Sequence, residues 1–230
     1  MTDNANNPVS DYPSRLSAFV RPQSGGHDHD INRPTGKFIT RGSDTLANFR
    51  DTTDSKGKLT YTYICSGFGG VDSIFVRGRS DRDTSSATIL LRFDGLQELT
   101  EGDHYVLIGA YGEEDVTSEH YKNHYGTINL VSRLQAVADT IYARKGYKLR
   151  INDVSLANGG PFDLNNDWET PHQTHRNGIS VDIRNSLTDG TSAVTLTRRQ
   201  LVRWLGYSGL EEGADFRVRK EAGHYHVTVY

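Results

Sequence analysis

His175-Arg176-Asn177-Gly178-Ile179-Ser180-Val181-Asp182-Ile183 and, at the end of the chain, His224-Tyr225-His226-Val227-Thr228-Val229-Tyr230 decide how the second half of this sequence folds. From Gly178 onward, Ile179, Val181 and Ile183 alternate with Gly178, Ser180 and Asp182, the period of a strand with one apolar face. The other face presents Asp182, with His175 delivered from the loop before it. In the terminal segment His224 and His226 share a face opposite Val227 and Val229, because residues two apart on a strand point the same way. If the two strands are neighbours, imidazoles and a carboxylate converge on one ion, with one histidine left over for chemistry. An Asp on a polar strand face is ordinarily only solvated, and a lone His-x-His on a terminal strand is ordinarily surface decoration. The coincidence of both motifs, each opposite an apolar stripe, is what points to a metal.

Working outward, Leu130, Leu134, Val137, Ala138 and Ile141 recur at helical spacing, with Asn129 as the expected cap, Arg144 and Lys145 in the last turn and Gly146 as the stop. Tyr147 to Ile151 reads as a strand, with Val154 and Leu156 continuing it after a change of phase. A second helix is predicted from Thr197, where Gln200 completes a capping box and Leu196 and Leu201 form a hydrophobic staple, ending near Gly206. Phe216 to Arg219 then leads into the histidine strand. Helices and strands in this order predict an α+β arrangement with an antiparallel sheet.

The constellation resembles the zinc peptidase superfamily that contains lysostaphin, the D-alanyl-D-alanine metallopeptidases and the zinc domain of sonic hedgehog (the LAS type). Its members carry a His, a Gly three residues later and an Asp seven residues after the His, matched here by His175, Gly178 and Asp182. The closing His-x-His of the branches nearest penicillin-insensitive murein endopeptidase is matched by His224 and His226. The resemblance spans Asn129 to Tyr230. Gln173 stands where carboxypeptidase-type members often have Ser, and Ser180 where they often have Ala. The resemblance implies that His175, Asp182 and His226 bind Zn2+ and that His224 assists catalysis. It also implies hydrolysis of peptide bonds in peptidoglycan stem peptides or cross-links by a metal-activated water, with His224 as general base or oxyanion donor. Two other readings stay open: a zinc-bearing or metal-free interaction module without hydrolytic activity, and a peptidase acting on a non-wall peptide.

The first half has a different texture. Residues 1–35 are polar and hold four of the six prolines, predicting a loosely ordered leader. Residues 36–111 read as a small β-sandwich: Lys58 to Tyr63 alternates after the turn signal Asp54-Ser55-Lys56-Gly57, and Ser73–Arg77, Ala87–Phe93 and His104–Ile108 are further strands. The stretch from Thr53 to Tyr63 resembles bacterial immunoglobulin-like domains. Residues 112–230 form the zinc-peptidase-like domain.

At 230 residues the chain is long enough for one large domain or two small ones. Its formal net charge of −3, with short and mixed basic stretches, argues against nucleic-acid binding. No apolar run is long enough for a membrane span. The opening Met1-Thr2-Asp3-Asn4-Ala5-Asn6-Asn7 lacks a secretory signal, so the expected setting is cytoplasmic, or extracytoplasmic (periplasmic or secreted) if the chain begins after a removed signal. The sole cysteine, Cys65, excludes an internal disulfide and is expected to be buried and inert. Ser180 lacks the partners of a serine nucleophile. Beside the main set, His172 is a candidate further histidine and Glu169 an alternative base, while Trp168 either meets substrate or anchors its own loop. His27 and His29, alternating with Asp28 and Asp30, read as a solvated stretch that binds metal weakly.

Overall fold

Leu16 and Ala18 alternate with Arg15, Ser17 and Phe19, and in the computed structural model of the protein this pattern is the strand β1 (Pro13–Val20). The structure describes residues 1–27, 32–80, 82–108, 122–163, 167–169 and 173–230. Two compact units are present, one of Met1–Ser24 and His29–Leu91, the other of Gly25–Asp28 and Arg92–Tyr230.

In the first unit, β1 is followed by β2 (Lys37–Ile39), β3 (Thr45–Leu46), β4 (Asn48–Thr52), β5 (Thr62–Ile64), β6 (Gly70–Arg77) and β7 (Thr84–Leu91). They form an antiparallel sheet of order β4-β1-β6-β7 and a smaller one of order β3-β2-β5. Leu16, Ala18, Ile74 and Val76 from the first sheet pack with Phe38, Tyr61 and Tyr63 from the second, so the two sheets enclose one small core. Within it, the Phe38 and Tyr63 rings lie 5.0 Å apart and Phe49 and Tyr61 5.1 Å apart. Beneath the sheet a buried ion pair ties the chain together: Arg33 NH2 lies 3.2 Å from Asp72 Oδ1, both side chains fully buried. Asp72 Oδ2 accepts from Gly36 N and from the Tyr63 hydroxyl, while Arg33 donates to the carbonyls of Phe68 and Val71. Both carboxylate oxygens of the buried Asp72 thereby accept hydrogen bonds.

Three expectations are corrected here. Residues 1–35 are no loose leader: they supply β1, an interior strand, and the buried Arg33, because proline and polar content do not forbid a strand whose alternate side chains reach a core. Strand pairing in β5 begins only at Thr62, although Leu59 and Tyr61 still pack inward. Cys65 is exposed rather than buried, because it lies just past the end of an edge strand whose inward positions are Tyr61 and Tyr63.

The second unit contains β8 (Leu96–Glu98), β9 (Tyr105–Leu107), β10 (Tyr125–Thr127), α1 (Ile128–Lys145), β11 (Leu149–Ile151), β12 (Ser180–Arg184), β13 (Ser186–Thr188), β14 (Ala193–Thr195), α2 (Arg198–Tyr207), β15 (Phe216–Lys220) and β16 (His224–Val229). Its main sheet has the order β15-β16-β12-β11-β9. Val181, Ile183, Tyr225, Val227 and Val229 of this sheet join Leu130, Leu134, Val137 and Ile141 of α1 and Leu201, Trp204 and Leu205 of α2 in one buried cluster. This is the expected α+β arrangement. The sheet is mixed, not wholly antiparallel: β9 runs parallel to β11. That pairing also moves the unit boundary from the predicted 111/112 to Leu91/Arg92, since Leu99, Tyr105 and Leu107 are buried in the second core. The strand reading of 104–108 is correct, but its partner lies some forty positions downstream, beyond the reach of a local pattern.

The helix ends obey local chemistry. Thr197 caps α2 in a reciprocal capping box with Gln200, and Leu196 and Leu201 flank it fully buried. The cap of α1 is Thr127, whose hydroxyl accepts from Leu130 N, and Asn129 lies inside the first turn. Gly146 ends α1 at φ 70°, as expected of a left-handed stop. Val154 and Leu156 are fully buried but lie outside any strand.

Removing one member of the buried pair leaves the other charge stranded. Asp72→Ala is expected to lower the unfolding free energy of the first unit by about 3–5 kcal/mol, read from the urea midpoint. A loss below about 1 kcal/mol, the range of a surface pair, would contradict this account.

Candidate metal centre

The register of β12 against β16 places Asp182 directly opposite His226 and Arg184 opposite His224. Asp182 turns both main-chain groups the other way, its N–H donating to Asp153 O and its carbonyl accepting from Asn152 N. Asp182 and His226 are therefore a non-hydrogen-bonded antiparallel pair, the kind whose side chains approach most closely. His226 Nδ1 lies 2.8 Å from Asp182 Oδ1. His175 arrives from a short 3-10 turn, Gln173–His175, and its Nε2 lies 3.4 Å from the same oxygen.

Gly178 makes that delivery possible. Its φ is +69°, and an added Cβ would lie 2.3 Å from Leu96 Cδ2 and 3.0 Å from Gly126 Cα. Its carbonyl accepts from Thr127 N, tying the ligand turn to the start of α1. Only glycine meets both demands.

Hydrogen bonds around the rings set their proton positions. His175 Nδ1 lies 2.8 Å from the Val154 carbonyl oxygen, which only accepts, so Nδ1 carries a proton and Nε2, the atom that faces Asp182, donates to the carboxylate when the ring is charged and offers a lone pair when it is neutral. Phe162 stacks on the same ring, 5.7 Å between centroids and 8° between planes. His226 Nε2 lies 3.4 Å from Thr228 Oγ1, which pairs at 3.0 Å with Ser180 Oγ. Ser180 thus buttresses His226 from behind, through Thr228. Among the described residues, His175, Asp182 and His226 form a group able to hold a metal, with donor atoms within 4.8 Å of one another. Two imidazoles and a carboxylate are the donor set of many catalytic zinc sites, and bonds of about 2.0 Å set tetrahedral ligand spacings near 3.3 Å. The Asp182 contacts of 2.8 and 3.4 Å lie on either side of that spacing and the three donors lie within 4.8 Å of one another, so these residues could hold the ion.

Exposure rises from His175 at 0% through Asp182 at 3% and His226 at 9% to His224 at 18%. The site therefore opens toward His224. That ring holds its Nδ1 proton against the Ala222 carbonyl at 3.1 Å, leaving Nε2 between Asp182 Oδ2 at 3.4 Å and Glu221 Oε2 at 3.3 Å. Glu221 is the contact that motif reading misses. The turn Glu221-Ala222-Gly223-His224, closed by Glu221 N donating to His224 O with Gly223 at φ 80°, folds it back onto the ring. A carboxylate three residues before a histidine across a glycine was the available signal.

The remaining candidates fall elsewhere. Glu169 is exposed and its N–H bonds to Asp167. Trp168 packs edge-on against His27 at 5.0 Å. His27 is 1% exposed, not part of a solvated stretch. His172, Asp28, His29 and Asp30 lie outside the described residues. A scan against protein-family models found no match for this chain, and a search of curated proteins found none.

Burial works against charge on Asp182, but hydrogen bonds to His175 and His226 and the charges of His175 and His224 outweigh it and hold the carboxyl well below its usual range. Burial likewise opposes charge on His175, yet the hydrogen bond and charge of Asp182, with Asp153 and the Val154 carbonyl, raise it above its ordinary 6.5. The signs follow by linkage. Asp182 contributes its stability above the ordinary carboxylate value of 3.8 and loses it as pH falls through the depressed one. His175 contributes fully below 6.5 and loses its share as pH rises through the raised value. Metal competes for the same imidazole and needs it neutral. The melting-temperature gain on adding zinc to chelator-treated protein should therefore be larger at about pH 8 than at about pH 6. Equal gains at both values would show that the ion does not displace a proton here.

Proposed function

We propose that the protein is a zinc-dependent peptidase that hydrolyses peptide bonds in peptidoglycan stem peptides or their cross-links. The observation that carries this reading is the convergence of His175, Asp182 and His226 beside a partly exposed His224. His175, Asp182 and His226 would hold the ion. When bound, zinc supplies an acidified water and a Lewis acid for the scissile carbonyl. His224 Nε2, enclosed between Asp182 Oδ2 and Glu221 Oε2, takes a proton from the attacking water and returns one to the leaving amine. Asp182 and Glu221, each within 3.4 Å of that nitrogen, stabilise the imidazolium in between. His175 and Phe162, both closed to solvent, keep bulk water away from the inner side.

The substrate class rests on the superfamily resemblance and on the surrounding charge. Arg219 sits opposite His226 and Arg184 opposite His224, so both arginines share the sheet face of the two histidines. A cation-flanked site suits substrates that carry carboxylates, as stem peptides do. Cleavage of wall peptides would place the protein outside the cytoplasm.

The two histidines of the terminal motif should fail differently. His226→Ala is expected to lose both bound zinc and turnover of a cross-linked muropeptide. His224→Ala should keep about one zinc per chain while turnover falls about 10²–10⁴-fold. Elemental analysis beside the kinetics decides the matter: equal zinc loss in both variants would make His224 a ligand, and full activity in His224→Ala would end the catalytic assignment. Arg219→Gln is expected to raise KM about tenfold with kcat little changed, the pattern of a substrate contact outside the reacting bond. An unchanged KM would remove Arg219 from substrate recognition.

A further inference from the structure

Each sheet edge in the first unit presents a row of main-chain N–H and C=O groups, and folds ordinarily guard such rows with charge, proline or short length. Among the described residues, three of the four edges are guarded. β3 and β5, the edges of the smaller sheet, are two and three residues long. β4 carries Arg50 and Asp51, and Arg41 lies along it, with NH2 donating to Thr52 O at 3.0 Å and Nε 3.2 Å from Asp51 Oδ2. β7 is the fourth. It is eight residues long, and Thr84-Ser85-Ser86-Ala87-Thr88-Ile89-Leu90-Leu91 contains no charge, no proline and no glycine. One side pairs with β6 along its whole length, and among the described residues no strand pairs with the other. Ser85, Ser86, Ala87 and Thr88 are exposed, and so is Leu90, at 52%.

The order of side-chain sizes along β7 decides what fits this edge. Small residues come first, Ser85, Ser86 and Ala87, and large ones last, Ile89, Leu90 and Leu91. An antiparallel second copy of β7, centred on Thr88, sets Leu91 against Ser85, Leu90 against Ser86 and Ile89 against Ala87, with Thr88 facing Thr88. Directly opposed side chains share a sheet face and touch, so every large side chain meets a small one. A parallel copy in register would set the large residues against each other and leave the serine end unfilled. A centre at Ala87 would set the charged Asp83 against Leu91, whereas in the register centred on Thr88 no pair within residues 85–91 holds a charge. A two-fold axis through the Thr88 pair, perpendicular to the sheet, generates this arrangement from two identical chains.

We infer that β7 is a self-association edge: two copies of the chain pair through residues 85–91 and join their four-stranded sheets into one continuous sheet, β4-β1-β6-β7 meeting β7-β6-β1-β4. Assembly stops at two, because the outer strands of that sheet are the guarded β4 edges. The pairing gives partners to the main-chain groups that β7 turns away from β6, and it sets Leu90 beside a strand in place of water. The backbone row alone would accept any extended peptide, and the size gradient is what selects a second β7. Residues 85–91 are far fewer than the roughly 20–30 residues a side of a standard interface, so the association is weak and concentration-dependent. The inference does not depend on the metal centre.

The test is sedimentation velocity on the full chain, from about 1 µM to about 1 mM. The mass should rise with concentration from 25.7 kDa toward twice that value. Thr88→Lys and Thr88→Glu each place like charges face to face on the axis, and each should raise the Kd of the dimer about fivefold or more. An equimolar mixture of the two variants should restore association at least to the parent's level, which also shows that both are folded. Arg50→Gln, on the guarded edge, should leave Kd unchanged. A chain that stays monomeric across the range, or one that grows beyond two copies, would overturn the inference. So would a dimer indifferent to both Thr88 variants or weakened by Arg50→Gln, and so would a mixture that associates no better than its components.

Discussion

Asp182 and His226 face each other across two neighbouring antiparallel strands, and everything proposed for the second unit depends on that register. A slip by one residue would turn Val181 and Ile183 out of the core and put Asp182 into it. The apolar faces of β12 and β16, fully buried against both helices, lock the register. The polar face then inherits its arrangement: two imidazoles on one carboxylate, a third imidazole one step nearer solvent, and a serine–threonine pair behind. Hydrophobic packing on one side of the sheet thus positions charge on the other. Burying that much polarity is costly, and the cost is met only because each group has a charged or hydrogen-bonding neighbour.

The first unit places its costs differently. Its buried Arg33–Asp72 pair is enclosed by carbonyls, a backbone N–H and a tyrosine hydroxyl, so the charge serves the fold itself.

Much of the candidate metal centre was legible in the order of residues. The period-two alternation fixes which side chains share a strand face, and that depends only on the chemistry of neighbouring residues. His224 and His226 on one face, Asp182 opposite an apolar stripe, the reciprocal cap at Thr197 and the stop at Gly146 all follow from such local rules. The α1 cap was misplaced by two residues because Thr127 and Asn129 are both able to cap. The choice fell to Thr127 once Gly178 bonded its N–H from another part of the chain.

Pairing between distant segments was not legible, and it decided the rest. Whether Tyr105–Leu107 belongs with the strands before it or with β11 depends on a parallel partner that no window of neighbours contains. Whether residues 1–35 order depends on strands that flank β1 from downstream. Glu221 joined the site only through a turn that folds it back onto His224. Local chemistry determined the faces, since a residue's direction on a strand is set by its immediate neighbours. Tertiary structure alone decided which faces meet, because hydrogen bonds and core contacts between strands carry no record in the spacing of either one.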